Sequence, residues 1–535
     1  MLTIAGIFLL LHAVHLKADF PNNSPWVDWA KYTDEGWYGD AAIRFYLRGA
    51  WHLPGDFNPA VALPVWPLLE AALFGLTGVS IVAARGLAVA VFAGILIVTY
   101  LLMRRLDSYV SSPEKVERSK ISAVGRMAVA ETPLSLAPAI AVLLLAVNPF
   151  IYVFTRMAIL EPMLILLTLL ALLVAARFDP QETGWRARVE ILLLGVVLAL
   201  MIGTKTTALF LLPSVAWMLW TAAGHRWKPF VREAAMAAGV AGAIWAAYFL
   251  FFVRPHYLAD FRYLFLANQY TQITRDTFFQ VIEDTFNDGV WIGPVLYSLS
   301  MLAIAVALVR WKMMRDPLLA SLMLWTVGYL AFLAYHANLQ PRYYLVVAVP
   351  LTMILVRVAE HLLRGRNAVV LSVAGVAFLV LAGVDARQTM KYVRQPEYTF
   401  ARAAEKVEAL VNAEKSHSRL VLSISGSDLS LMTGLPSICD DFGTMDLDER
   451  IEAYQPGWFV AWNYVEDDKM EALAKFYRLT RVAAFPAMDD PDRNLLIVYR
   501  LDSKTPEKQN GRERKKLLPT RSLDNDARPS VKDEL

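Results

Sequence analysis

Long apolar runs separated by short polar loops dominate the chain as far as Val384, and beyond that point the pattern breaks into shorter alternation. A helix that crosses a bilayer needs roughly 20 apolar residues, somewhat fewer where flanking polar side chains snorkel. By that measure the apolar cores fall at Leu2 to Val14, Gly86 to Met103, Leu134 to Phe154, Ile159 to Ala176, Ile191 to Gly203, Ala208 to Ala223, Ala234 to Val253, Val290 to Val309, Pro317 to Tyr335, Tyr343 to Val358 and Ala368 to Val384, or about eleven spans. The first core has no small-residue cleavage site after it, so it reads as an anchor and not as a removed signal peptide.

The positions of Lys and Arg orient these spans. Arg104, Arg105, Lys115, Arg118, Lys120 and Arg126 share one short connection; Arg177, Arg186 and Arg188, then Arg226, Lys228 and Arg232, then Arg310, Lys312 and Arg315, then Arg364 and Arg366 mark the others. Basic loops of this kind face the cytoplasm. The same rule divides the apolar run from Ile191 to Ala223 into two short helices broken at Gly203-Thr204-Lys205-Thr206, because a single helix would put the flanking basic loops on opposite sides. The loops from Lys17 to Ser80 and from Arg254 to Gly289, and everything after Asp385, then face outward.

The fold class is therefore a polytopic α-helical membrane protein, residues 1–385, followed by a small outward-facing α/β domain, residues 386–502. Short β-like runs at Leu420 to Ile424, Trp458 to Trp462 and Leu495 to Tyr499 alternate with a helical stretch from Tyr398 to Ala413. Asp440, Asp441, Asp446, Asp448 and Glu449 of this domain read as a solvated acidic loop rather than a cation site. Residues 503–535 are charged and almost free of apolar residues, the composition of a disordered tail. Its last four residues, Lys532-Asp533-Glu534-Leu535, match an endoplasmic-reticulum retrieval signal, although a tail built from those letters also produces it by coincidence.

Composition narrows the class further. The chain of 535 residues is 56% hydrophobic, with mean hydropathy +0.41 and a net charge of +3, which gives no case for nucleic-acid binding. Cys439 is the only cysteine, so a thiol-based zinc site and an internal disulfide are both excluded. No phosphate-binding loop, dinucleotide fingerprint or His-Glu-x-x-His motif is present.

Chemistry is thus left to polar residues where helices meet the outer face, since ionisable groups at a membrane are costly and mark function by default. Asp34, Glu35 and Asp40 lie together in the first outer loop, Arg156 and Glu161 at the junction of the third and fourth spans, Lys205 at the broken pair, and Arg342 with Tyr343 at the start of the tenth span. Each also has a plain structural reading. Arg156 and Arg342 suit interfacial anchors, Glu161 suits a helix N-terminus, and Lys205 can snorkel. Several such groups from separate helices on one face are harder to explain that way. His256 and His336 lie near the same face and are assigned no metal. Ala41 to Trp51 and Pro64 to Leu76 read as amphipathic helices lying in the interface, with Tyr46, Trp51 and Trp66 as anchors.

The Asp-Glu pair before an aromatic, small-residue helix start, the Arg…Glu-Pro opening of the fourth span, the Gly-Thr-Lys break and the Pro-Arg-Tyr start of the tenth span together resemble the GT-C membrane glycosyltransferases, in particular the branch of the protein O-mannosyltransferases and the lipid A aminoarabinose transferase. The resemblance covers most of the chain to Val384. It implies a sugar donor linked to a polyprenyl phosphate, transfer at the outer face with inversion at the anomeric carbon, and an outer-loop Asp as general base. Asp34 suits that base. Glu35 would orient it or hold a cation, and a divalent cation is the one cofactor left open. Lys205 and Arg342, with Arg156 less directly, would stabilise the leaving lipid phosphate. Glu161 would bind the sugar, a metal or an Arg. The large luminal insertion of the eukaryotic protein O-mannosyltransferases is missing, which points to a bacterial inner membrane. The acceptor is a protein, lipid A or another envelope glycan. The competing reading, a secondary transporter or lipid flippase, fits the span count and the helix break, but it would concentrate polar groups near the midplane.

Overall fold

The computed structural model describes residues 1–107, 135–180, 184–267, 277–336, 340–463, 467–490 and 493–504. The basic run from Lys115 to Arg126 and the Lys532-Asp533-Glu534-Leu535 ending lie outside them. Helices fill the first part of the chain: α1 (Leu2–His12), α2 (Asp34–Arg48), α3 (Val65–Thr77), α4 (Ile81–Arg105), α5 (Ala137–Val147), α6 (Pro149–Thr155), α7 (Leu160–Ala175), α8 (Trp185–Thr204), α9 (Leu212–Ala222), α10 (Trp227–Tyr248), α11 (Phe278–Asp288), α12 (Pro294–Val309), α13 (Pro317–Tyr335), α14 (Leu345–Leu363) and α15 (Ala368–Arg394). The chain is a multi-pass membrane protein. Among the described residues 6 helices are long and apolar enough to cross a bilayer, or up to 7 if the bent pair α5 and α6 is one span. The remaining segments expected to cross are helical but shorter, including α1, α7 and α12.

Local chemistry explains the breaks. Between α5 and α6 the axis bends by 69° at Asn148-Pro149, where proline cannot donate to the preceding turn and the Asn148 side chain caps the next helix by accepting from Ile151 N at 3.0 Å. Helix α8 stops at Thr204 because Lys205 is extended (φ −157°, ψ 130°), and a 3-10 turn, Thr206–Leu211, leads into α9. The expected break at Lys205 is therefore present, but the helix before it is long enough to cross a bilayer and only the one after it is short.

Two ends of the bundle are polar. At one, Arg357 of α14 is fully buried and bonds Asp316 at 2.6 Å, Glu360 at 2.8 Å and the Leu106 carbonyl at 2.6 Å, tying α4, α13 and α14 together. At the other, α2 and α3 lie among the loops and the C-terminal region sits on them. There α16 (Thr399–Ala413), α17 (Gly426–Thr433), α18 (Leu447–Tyr454) and α19 (Asp467–Phe476) pack on a five-stranded sheet of order β2-β1-β3-β5-β4, formed by β1 (Val421–Leu422), β2 (Ser437–Ile438), β3 (Trp458–Ala461), β4 (Tyr477–Asp490) and β5 (Arg493–Ser503). β1 runs parallel to β2 and β3, while β5 is antiparallel to β3 and β4. The two regions share hydrogen bonds across their contact. Asp19 caps α16 by accepting from Phe400 N at 2.8 Å and Ala401 N at 3.0 Å, and Trp37 Nε1 donates to the Ile424 carbonyl at 3.2 Å.

Two interfacial expectations change. Helix α2 begins at Asp34, not at Ala41, because Asp34 and Glu35 occupy its first turn, where the free N–H groups and the helix dipole favour carboxylates. It ends where Gly49 takes a left-handed φ of 71°. Trp66 is no interfacial anchor: it is fully buried, and its indole donates to Glu70 Oε1 at 3.0 Å.

Candidate active site

The first turn of α2, the gap after α8, the start of α7 and the 3-10 turn Pro341–Tyr344 before α14 meet at one place. Asp34 sits 3% exposed, with Oδ2 2.6 Å from Arg342 Nη2 and Oδ1 accepting from the Thr33 hydroxyl at 3.1 Å. Asp34 Oδ2 has no aligned hydrogen bond, so the oxygen keeps a lone pair while resting against a guanidinium. Arg342 also pairs with Asp28, which is wholly buried and accepts the Arg342 backbone N–H at 2.9 Å.

Tyr343 connects this group to a second pair. Its hydroxyl accepts from Arg342 Nη2 at 3.2 Å, and its ring lies 4.7 Å from the Arg342 guanidinium carbon and 4.3 Å from Lys205 Nζ. Lys205 Nζ is paired with Glu161 Oε1, and Glu161 Oε2 has no hydrogen-bond partner. One aromatic ring thus lies against two cations, each held by an acid. Tyr38, one turn beyond Asp34, faces the same space; burial, then the Asp34 charge, holds its phenol well above the usual range, so it stays a neutral donor.

The other expected residues are placed elsewhere. Glu35 points away from Asp34 and is bound on both oxygens by Arg85 of α4, at 2.8 and 2.5 Å, with Ala158 N donating to Oε1 at 2.8 Å. Arg85 also holds the Leu16 carbonyl at 2.8 Å. Arg156 spends its guanidinium on the carbonyls of Val14 and His15, at 2.9 and 2.6 Å, and stacks on Tyr152. Asp40 faces the C-terminal region, accepting from the Ser427 hydroxyl at 2.8 Å and pairing with Arg44 at 2.7 Å. Burial raises its carboxyl to about 7 despite Arg44. Cys439 is buried, and burial pushes its thiol up, away from reactivity. Of the acidic loop, Asp440 is buried and Asp448 pairs with Lys475, while Asp441, Asp446 and Glu449 are exposed.

Asp28, Tyr38, Arg85 and Asp428 were not singled out by sequence. Arg85 carried a usable signal, a lone charge just before an apolar run of membrane length. Asp28 and Asp428 carried none, because their roles come from partners distant in the chain.

An apolar groove of about 380 Å³ opens between α11 and α13, lined by Phe278, Val281, Ile282, Leu330 and Ala334. The helices on either side of it are linked to the segment that carries Tyr343, since the Tyr344 hydroxyl donates to the Thr285 carbonyl of α11 at 2.9 Å and Phe332 of α13 packs on Tyr343 with ring centroids 6.2 Å apart. Among the described residues no three His, Cys, Asp or Glu side chains are grouped as metal ligands.

The family model described as dolichyl-phosphate-mannose-protein mannosyltransferase matches residues 130–259, a stretch that includes Arg156, Glu161 and Lys205. By sequence, no characterised protein matches the chain. By structure, the chain is similar to ArnT from Cupriavidus metallidurans bound to undecaprenyl phosphate, with TM-score 0.58 at 14% identity over 93% of this chain and 97% of that one. The apo form of the same protein matches with TM-score 0.53 at 14% identity over the same shares. The Archaeoglobus fulgidus oligosaccharyltransferase in complex with Zn and sulfate matches with TM-score 0.49 at 13% identity, over 92% of this chain and 72% of that one.

Proposed function

We propose, taking the GT-C fold shared with ArnT as the premise, that this protein is a membrane glycosyltransferase. It moves a sugar from a polyprenyl-phosphate-linked donor to a protein, lipid A or envelope glycan acceptor at the outer face of the membrane. The observation that carries the proposal is the convergence of Asp34, Arg342, Tyr343, Lys205 and Glu161 at one place. A buried carboxylate next to two cations suits a reaction in which one group must take a proton while another gathers negative charge. The match to a family described by a lipid-linked mannose donor, and to a fold seen with undecaprenyl phosphate, agrees with that chemistry.

The step balances as a single displacement. An acceptor oxygen or nitrogen attacks the anomeric carbon, Asp34 takes its proton, and the bond from that carbon to the phosphate oxygen breaks. The electron pair leaves with the polyprenyl phosphate, whose charge Arg342 and Lys205 stabilise by charge-assisted hydrogen bonds. Attack opposite the leaving group inverts the anomeric carbon. The isoprenoid tail would lie in the groove between α11 and α13. Arg342 is tied to the candidate base in this structure, so phosphate binding would draw it from Asp34 and leave the carboxylate free. Glu35 and Arg156, whose hydrogen-bonding groups are already taken, serve to hold α2 and α1 in place.

The experiment is transfer by the purified full-length protein in nanodiscs, with the sugar presented on undecaprenyl phosphate or on a nucleotide, paired with mass spectrometry of envelope glycans and proteins from cells with and without the gene. Transfer from the lipid-linked sugar alone is expected. Transfer from a nucleotide sugar with no polyprenyl lipid present would overturn the proposal.

A further inference from the structure

Helix α2 carries the candidate base in its first turn, yet its own N-cap, Thr33, makes no side-chain cap hydrogen bond to it. The free N–H groups of that turn need partners, because a buried unpaired donor is costly. Gly36 N finds one far away in the chain: Asp428 Oδ1, in α17 of the C-terminal region, accepts from it at 3.0 Å. The approach depends on glycine. A Cβ at Gly36 would lie 2.3 Å from Asp428 N and 2.3 Å from the Ser427 carbonyl carbon, both backbone atoms that cannot swing aside. Ser427 bonds Asp40 one turn further along, so α17 grips α2 at two successive turns.

The chemical state of Asp428 fits a cap. It is 2% exposed, its Oδ2 has no hydrogen-bond partner, and burial, reinforced by the nearby Glu35 and Asp34 charges, holds its carboxyl well above the usual range. The neutral form is thus favoured, with Oδ1 accepting from Gly36 N. A neutral acid caps Gly36 without adding a second negative charge beside Asp34.

We propose that Asp428 is a positioning residue for the candidate base, supplied by the C-terminal region, which caps the first turn of α2 and so fixes where Asp34 stands. The C-terminal region is then part of the catalytic apparatus and not an appended module. The assignment of Asp34 as base rests on the glycosyltransferase reading above, whereas the cap itself does not, and the test separates the two.

The test uses the full-length protein in nanodiscs. Amide hydrogen exchange is followed by mass spectrometry over residues 34–37, and transfer from an undecaprenyl-phosphate-linked sugar is measured in parallel. Asp428→Leu should speed exchange of that turn about 5- to 30-fold, the worth of a lost cap, while peptides from α4 and α7 stay unchanged. It should lower kcat by a similar factor and leave donor KM in place, since the phosphate-binding side chains lie on other elements. Asp428→Asn keeps the acceptor oxygen and puts a donor where the proton was, so it should restore both readouts. If Asp428→Leu does not fold, Gly36→Ala forces the same contact apart and must show the same faster exchange. Unchanged exchange in the Leu or Ala variants, or an Asn variant as impaired as Leu, overturns the proposal. Faster exchange reversed by Asn, with no transfer from any lipid-linked sugar by wild type, keeps the cap and rejects the glycosyltransferase reading instead.

Discussion

Neutralising Arg342 tests whether its charge serves the donor or only the acids around it. In Arg342→Gln, Asp28 keeps its backbone donors, Ala30 N at 2.8 Å and the residue 342 N–H at 2.9 Å, but loses the guanidinium, and Asp34 loses its contact at 2.6 Å. Removing one partner of a buried pair costs about 3–5 kcal/mol, because the remaining charge stays desolvated. For a chain of 535 residues the unfolding entropy is on the order of 1 kcal/mol per kelvin, so Tm should fall by about 3–5 K. Asp28→Asn removes one of the two stranded charges and leaves that of Asp34, so the double variant should recover about half of that loss. About 1 kcal/mol of what remains reflects the new amide nitrogen, which cannot accept from the residue 342 N–H. Donor affinity should behave differently. If Arg342 binds the lipid phosphate, a lost charged hydrogen bond of about 1.5–3 kcal/mol weakens undecaprenyl phosphate binding roughly 10- to 150-fold in the single and the double variant alike. Thermal unfolding in nanodiscs and lipid titration on the four proteins of the cycle give both quantities. A double variant that binds undecaprenyl phosphate as tightly as wild type would refute the phosphate role, leaving Arg342 as the counter-charge of two acids.

Three further outcomes are expected. Asp34→Asn should keep α2 folded and lower transfer by about 10²- to 10⁴-fold at equal membrane abundance, and near wild-type transfer would remove Asp34 from the mechanism. In a Cys439→Ser background, a cysteine at the exposed position Glu405 should react with an impermeant thiol reagent applied outside spheroplasts, whereas one at Lys115 should not; the reverse pattern would place Asp34 on the cytoplasmic side. Because burial raises the Asp40 carboxyl to about 7, the folded state binds a proton that the unfolded state has released. The stability from this group is full below about pH 4 and is lost as pH rises through 7. Asp40→Asn should flatten the decline of Tm over that range, and an unaltered slope would count against a neutral Asp40.

Sequence by itself determined the class. Apolar runs of membrane length, the break at Lys205 and the alternating stretches after Gln395 are local signals, written in hydropathy and in the side chains next to a break, and helices and a sheet stand in those places. The gathering of Asp34, Glu161, Lys205 and Arg342 on one face was legible from their places at helix ends, and their joint role from a resemblance of ordered short motifs. What each polar residue faces was decided by tertiary structure alone. Asp34 and Glu35 are neighbours in sequence, yet 100° of helical rotation sends one toward Arg342 and the other into Arg85. Arg156 reads in sequence as an interfacial anchor or a secondary phosphate contact, whereas in the fold it holds the chain just after α1 by donating to the carbonyls of Val14 and His15. Asp428 could not be picked out among the acids of a soluble region. Its role arises from a backbone N–H of Gly36, and only chain packing brings a donor and an acceptor so far apart in sequence to hydrogen-bond distance.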